Sequence, residues 1–298
     1  MKVLVTGATG LLGTDIVYTL ENRNIETIKA CFSQRNSNYI AADITKEEGI
    51  RKLADIEWDC LIHTSAWRDP DECENKQKET YRLNVWASGQ LAKVAFERSA
   101  KMIFISTDYV FSGNNPPYSE TDKRDPINYY GKTKEIAEDK ILEISNNFCI
   151  LRVPLLYGVR AGLKASAVLN TAINALDSGN IYQMDNTITR YPTYTGDVAE
   201  AILFLLTKKA SGIYHFSGQD ETTKYGIAKT IAEQLNKSMD HIIKMVTPPN
   251  DDAKRPLNSH LSMNKLLSLG FESPIPFKHR IKKLLKEIHS PLIDTNKL

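Results

Sequence analysis

Cysteine is scarce in this chain, with four in 298 residues, and no two form a Cys-x-x-Cys pair. None stands at metal-ligand spacing with a histidine, so no metal site is signalled. Cys31, Cys60 and Cys149 fall in strand-like runs and read as small buried hydrophobes. Charge of one sign is lacking too: 38 Lys+Arg against 36 Asp+Glu gives 38 − 36 = +2. So small a net charge argues against nucleic acid or a membrane surface as an obligatory partner. Long hydrophobic runs are missing as well. The longest strongly apolar run, "AILFLL" at 201–206, is far shorter than the roughly 20 residues that span a bilayer. "MKVLVTGATG" cannot make the apolar region of a signal peptide. The expected location is therefore cytoplasmic.

What is present is a globular composition, 42% hydrophobic and 25% charged. Short apolar runs alternate with amphipathic stretches. "KVLVTG", "ETIKACF", "CLIHTSA", "MIFIST", "FCILRVPLLYG" and "GIYHFS" read as strands. Residues 11–22 read as the first helix. Tyr81, Val85, Ser88, Ala92, Ala95 and Phe96 repeat as one helix face. This β-α-β-α order predicts an α/β fold, a doubly wound parallel sheet. The pattern loosens after Gly158, with helices expected at 166–176, 196–206 and 225–235. A last helix starts near Phe277, with Phe277, Ile281, Leu284, Leu285 and Ile288 in one apolar stripe. "TPPNDDAKRP" reads as a loop. The expected organisation is a nucleotide-binding domain at 1–158 and 190–216, and a smaller C-terminal substrate lobe at 159–189 and 217–298.

"VLVTGATGLLG" places Gly7, Gly10 and Gly13 directly after a strand and into a helix. Glycines there allow a tight turn, a close approach to a pyrophosphate, and packing of helix on strand. The helix N-terminus adds free N–H groups for phosphate. The second strand runs into "CFSQRN" with no acidic residue, so Ser33 and Arg35 are candidates for a 2′-phosphate and point to NADP(H). A solvated loop role for Arg35 is the alternative, which leaves NAD(H) open. Asp43 in "AADIT" is placed to accept from an adenine amino group, with Ile44 beside the ring.

"NYYGKTK" at 128–134 holds two tyrosine–lysine pairs. Tyr130 and Lys134 are four apart and share a helix face, whereas Tyr129 and Lys132 would face another side. A nearby ammonium favours the phenolate, and such a tyrosine can pass a proton to a carbonyl. Upstream, "FISTDYVF" ends a strand at Ser106, Thr107 and Asp108, where a hydroxyl can hold the same carbonyl oxygen.

The glycine loop, the strand-end Ser/Thr and Y-x-x-x-K, in this order, resemble the extended short-chain dehydrogenase/reductase family, which has a Rossmann sheet. The resemblance implies that Tyr130 is the general acid, Lys134 its partner and Thr107 the catalytic hydroxyl. It implies a cofactor site at Gly7, Thr9, Gly10, Leu11, Leu12 and Gly13, continued by Thr64, Ser65 and Ala66. Asn84 matches the asparagine this family keeps near the active site, and Pro154 the residue beside the nicotinamide. "STDYVFSG", "PINYYGKTK", "PTYTGDVAEAI" and "AKRPLNSHL" are similar to the dTDP-4-dehydrorhamnose reductases, which reduce a nucleotide-linked 4-keto-6-deoxysugar with NADPH. That likeness implies substrate contacts from Trp67, Arg68, Thr107, Asp108, Tyr109, Arg190, Tyr191 and Arg255.

Three features depart from that branch: Leu11 in the glycine loop, "SAWRDPDECEN", and Arg190 in "TRYPTYT". They are more similar to the regulatory β subunits of methionine adenosyltransferase, which bind NADP and act through a partner enzyme subunit. A homodimer is the other expected assembly. A sugar dehydratase would carry Asp-Glu after the threonine, but Thr107 is followed by Asp108 and Tyr109. His63 and His215 sit in strand patterns and read as packed core residues.

Overall fold

A computed structural model describes residues 1–33, 37–160 and 164–289. β1 (Lys2–Thr6) runs into α1 (Leu11–Glu21), followed by β2 (Glu26–Cys31) and the short β3 (Ile40–Ala41). α2 (Glu47–Ala54) leads to β4 (Cys60–His63), then α3 (Pro70–Asn75) and α4 (Gln77–Tyr81). A π-helical turn, Arg82–Ala87, joins α4 to α5 (Ser88–Glu97). β5 (Lys101–Thr107) ends in a 3-10 turn, Asp108–Val110, and α6 (Tyr129–Ile144) precedes β6 (Cys149–Val153). Then come β7 (Leu156–Tyr157), β8 (Val159–Arg160), β9 (Lys164–Ala165), α7 (Ala167–Ser178), β10 (Tyr182–Asp185) and β11 (Thr193–Tyr194). α8 (Thr195–Thr207), β12 (Gly212–His215), α9 (Lys224–Leu235), β13 (Ile242–Met245), α10 (Asn264–Ser268) and α11 (Phe277–His289) complete the order.

Seven strands form one parallel sheet in the order β12-β6-β5-β4-β1-β2-β3. The period of two along each strand divides the apolar side chains between two layers. Val3, Val5, Ile62 and Ile105 pack under α1 and α8. Leu4, Leu61, Met102 and Phe104 pack under α2, α5 and α6. The strand order reverses between β1 and β4, and a crevice opens there at the carboxyl ends of the strands, where ligands of such sheets bind.

A third cluster lies outside the sheet, built from Leu169 and Ala172 of α7, Ile227 and Ile231 of α9, and Phe277, Ile281, Leu284 and Leu285 of α11. β10 and β13 pair in parallel beside it. The expected lobe boundary needs one correction. Leu266 of α10 is fully buried in the core around the sheet, with Met263 and Phe271 packed against it. Part of 217–298 therefore returns to the sheet domain.

Two local readings also change. "FCILRVPLLYG" is two strands, because Pro154 has no N–H for the ladder; β6 stops at Val153 and β7 pairs with β11 instead. Along the expected face of 81–96, Val85, Ser88, Ala92 and Ala95 are buried but Tyr81 and Phe96 are 40% and 56% exposed. The π turn at Arg82–Ala87 puts extra residue into the helix and rotates the face out of step.

Candidate active site

The glycine loop shapes one end of a crevice of about 1030 Å³. Gly7 has φ +70°, and a Cβ there would stand 2.6 Å from Thr64 Oγ1. A Cβ on Gly13 would lie 2.1 Å from the Gly7 carbonyl oxygen, so only glycine lets α1 start this close to β1. Gly10 is the N-cap of α1 and offers no side-chain cap, and the first turn carries no acidic residue. The helix N-terminus therefore remains a donor-rich, electropositive rim suited to phosphate. A nicotinamide dinucleotide fits this cradle, since the uncapped start of α1 and the loop that these glycines keep close to β1 line the crevice together.

Asn128 caps α6 by accepting from the Gly131 N–H at 2.8 Å, and this sets which tyrosine turns inward. Tyr130 lines the crevice with Lys134 and Thr107. Tyr129 instead donates its hydroxyl to the Gln77 carbonyl at 3.2 Å, and Lys132 pairs with Glu135 on the surface at 2.7 Å. A Cβ on Gly131 would stand 2.1 Å from the Tyr109 carbonyl oxygen, so this glycine brings α6 against the 3-10 turn after Thr107.

Lys134 is 2% exposed, donates to the Ile105 carbonyl at 2.6 Å and lies 3.8 Å from the Phe104 ring centre. Burial pulls its pKa down to about 7, against the opposing charge of Glu138. Burial pushes Tyr130 well above the ordinary tyrosine value, and the hydroxyl of Thr107 draws it back. The Lys134 ammonium, one turn from Tyr130, is engaged by the Ile105 carbonyl, and the hydroxyl of Thr107 favours the phenolate. Thr107 donates to Asp108 at 3.1 Å. Asp108 also accepts from Ser259, and its burial raises the carboxyl to about 6 despite that bond and the charge of Arg190.

Thr9, Leu11, Leu12, Asp43, Ile44, Thr64, Ser65, Ala66 and Pro154 all line the same crevice. Asp43 spends one oxygen on the backbone and hydroxyl of Thr45, at 3.1 and 2.6 Å. Trp67, Arg68, Tyr109 and Arg190 line both this crevice and a second cavity of about 770 Å³ that continues from it. Arg190 is 6% exposed, with its guanidinium 6.0 Å from the Tyr109 ring centre.

Several expected contacts fall elsewhere. Ser33 is exposed and lies off the crevice wall, while its neighbour Phe32 is on it. Arg35 lies outside the described residues. Asn84 is fully buried behind the wall, where its amide holds the backbone of Trp67. Tyr191 lines neither cavity; it stacks on His260 at 4.0 Å and bonds to Glu221 at 3.1 Å. Arg255 borders the second cavity, but Asp71 at 2.6 Å and Asp251 at 2.7 Å already occupy its guanidinium. His63 is fully buried between Thr6 at 2.6 Å and Ser88 at 3.0 Å, and His215 lies in the core beside Arg152. Lys78 and Arg82 reach the crevice without having been singled out. Their spacing of four on one helical stretch was the available signal.

Methionine adenosyltransferase 2 subunit beta of Mus musculus is 36% identical over 290 residues, 95% of this chain and 87% of its own length. A dTDP-4-dehydrorhamnose reductase of Clostridium acetobutylicum superposes with a TM-score of 0.86 at 27% identity, over 97% of this chain and 100% of that one. Another from Bacillus anthracis, solved in complex with NADP, gives a TM-score of 0.85 at 25% identity, over 96% and 99%. With residues 1–290 matching its family description, the chain belongs to the RmlD substrate binding domain family.

Proposed function

We propose that the protein is a cytoplasmic, NADPH-dependent reductase of a nucleotide-linked 4-keto-6-deoxysugar. The observation that carries this reading is the meeting of Thr107, Tyr130 and Lys134 in the crevice that the glycine loop and Pro154 also line. NADPH, when bound, supplies the hydride for the carbonyl carbon. The glycine loop and the start of α1 would hold its pyrophosphate, and Lys134 would hold ribose hydroxyls. Tyr130 keeps its proton at neutral pH, because burial disfavours the phenolate, and gives it to the carbonyl oxygen as charge develops there. Thr107 orients that oxygen. Arg190, buried at the junction of the two cavities, supplies positive charge toward a diphosphate.

One observation favours a second reading, the 36% identity to methionine adenosyltransferase 2 subunit beta over 95% of the chain. In that reading the chain binds NADP(H) and acts through a partner enzyme subunit. Following NADPH absorbance with dTDP-4-dehydro-6-deoxysugar separates the two. Turnover that Tyr130→Phe loses supports the reductase. Absence of turnover with NADPH binding intact, together with co-purification of a methionine adenosyltransferase catalytic subunit, supports the second.

A further inference from the structure

Tyr130, Lys134 and Glu138 follow one another at intervals of four along one face of α6. Glu138 is fully buried and lines neither cavity. Its carboxylate is nonetheless saturated. Oε1 accepts from the hydroxyl of Ser106 on β5 and from Arg152 Nε on β6 at 3.0 Å. Oε2 accepts from Arg152 Nη2 at 2.7 Å and from Arg124 Nη1 at 3.1 Å. The remaining Arg152 nitrogen lies 3.2 Å from Nε2 of His215 on β12. Ser106 immediately precedes Thr107, and Arg152 stands two residues before Pro154. One carboxylate therefore fastens the helix of Tyr130 and Lys134 to the two strands that carry Thr107 and the crevice wall.

Packing alone would not need an ion pair here, since apolar side chains of similar size hold such sites at no desolvation cost. Lys134 lies one helical turn away on the same face. Around that ammonium, β5 presents the Ile105 carbonyl and the Phe104 ring. β4 presents His63, held neutral by burial. Asn84 of the π turn bonds to Thr133, the residue before Lys134, and Ser88 of α5 bonds to His63; neither carries a charge. Cys73 of α3 acts on the Tyr130 side, its thiol pushed up to about 11 by burial. The 3-10 turn places Asp108 and Tyr109 on the Tyr130 side. β6 brings Arg152 and the segment before α6 brings Arg124, both paired with Glu138. Glu138 is the charged group that opposes the effect of burial on Lys134.

We propose that Glu138 is a positioning residue that acts through Lys134: it locks α6 onto β5 and β6 and sets a carboxylate one helical turn from the lysine. The inference rests on the NADP(H) part of the proposed function and is independent of the sugar. It is tested by measuring NADPH affinity against pH for wild type, Lys134→Met, Glu138→Gln and Glu138→Asp. Wild-type affinity is expected to break downward near pH 7, and Lys134→Met to lack that break. Glu138→Gln should move the break down by about one pH unit, and Glu138→Asp should return it toward wild type. A folded Glu138→Gln with the wild-type break overturns the proposal, as does a break that survives in Lys134→Met. Should Glu138→Gln not fold, Arg152→Gln, which leaves the Glu138 carboxylate less neutralised, should move the break upward, and an unmoved break there overturns the proposal. If the wild type binds no NADPH, the cofactor reading and this inference fall together; binding with an unmoved break removes this inference alone.

Discussion

The side-chain amide of Asn84 accepts from the backbone N–H of Trp67 at 2.8 Å and donates to the carbonyl of the same residue at 2.9 Å. Its NH2 group also reaches Thr133 on α6 at 3.1 Å, one residue before Lys134. A single buried amide thus joins the loop after β4 to the helix of the tyrosine and lysine. Asn84→Ala strips both backbone groups of Trp67 of this partner. It should cost about 1–3 kcal/mol in stability, and NADPH affinity should weaken with it. Asn84→Asp retains the acceptor but sets a buried carboxylate oxygen against the Trp67 carbonyl, and should lose at least as much. Urea unfolding beside a cofactor titration checks this, and an alanine variant as stable as wild type would remove the clamp from the account.

Two glycines in helices make opposite predictions. Gly131→Ala drives a Cβ to 2.1 Å from the Tyr109 carbonyl oxygen and 3.0 Å from Pro126 Cβ. Backbone must shift, and a loss of about 1–3 kcal/mol is expected. Gly89→Ala in α5 meets only Lys140 Cδ at 3.7 Å, an ordinary contact. There the helix propensity of alanine should show as a gain of about 1 kcal/mol. Denaturation midpoints of the two variants, measured together, should move in opposite directions.

Much of this was legible in the sequence because periodicity and motif order are local signals. The sheet strands, the glycine loop and the inward turn of Tyr130 follow from residues close together in the chain. What escaped depends on contacts between distant segments. Tyr191 looked like a cavity residue until His260, far along the chain, proved to cover its ring. Arg255 looked free until Asp71 from α3 met it. The parallel pair β10–β13 joins two four-residue strands with β11, α8, β12 and α9 between them, too short for alternation to mark either. Glu138 reads as a polar helix position, and only the fold reveals Arg152 against it.

The two adjacent tyrosines should separate cleanly in kinetics. Tyr130→Phe removes the proton donor and should lower turnover by about 100- to 10,000-fold. Its NADPH dissociation constant should stay within about threefold, since the ring remains. Tyr129→Phe loses one bond of 3.2 Å to the Gln77 carbonyl on the far side of the helix and should keep near wild-type turnover. Equal losses in both variants would mean that the loss reflects disturbance of α6 rather than proton transfer.

Acid stability follows from three buried groups whose signs differ. His63 and His215 are fully buried, and burial first, then the charges of Lys134 and Arg152 respectively, hold each near a pKa of about 3 against 6.5 in the unfolded chain. As pH falls below 6.5 the unfolded chain gains two protons that the fold refuses, so stability drops. Asp108 works in the other direction. Burial raises it to about 6 from 3.8, so the fold takes up a proton first across that window. Between these limits the unfolded chain leads by 2 − 1 = 1 proton. From these groups stability should fall by about 1.4 kcal/mol for each pH unit of acidification. Unfolding free energies at pH values of about 5.5 and 4.5 measure that slope. His63→Gln removes one titrating imidazole and should flatten its contribution. A slope unchanged by that substitution would mean that His63 is not the neutral core residue its bonds to Thr6 and Ser88 describe.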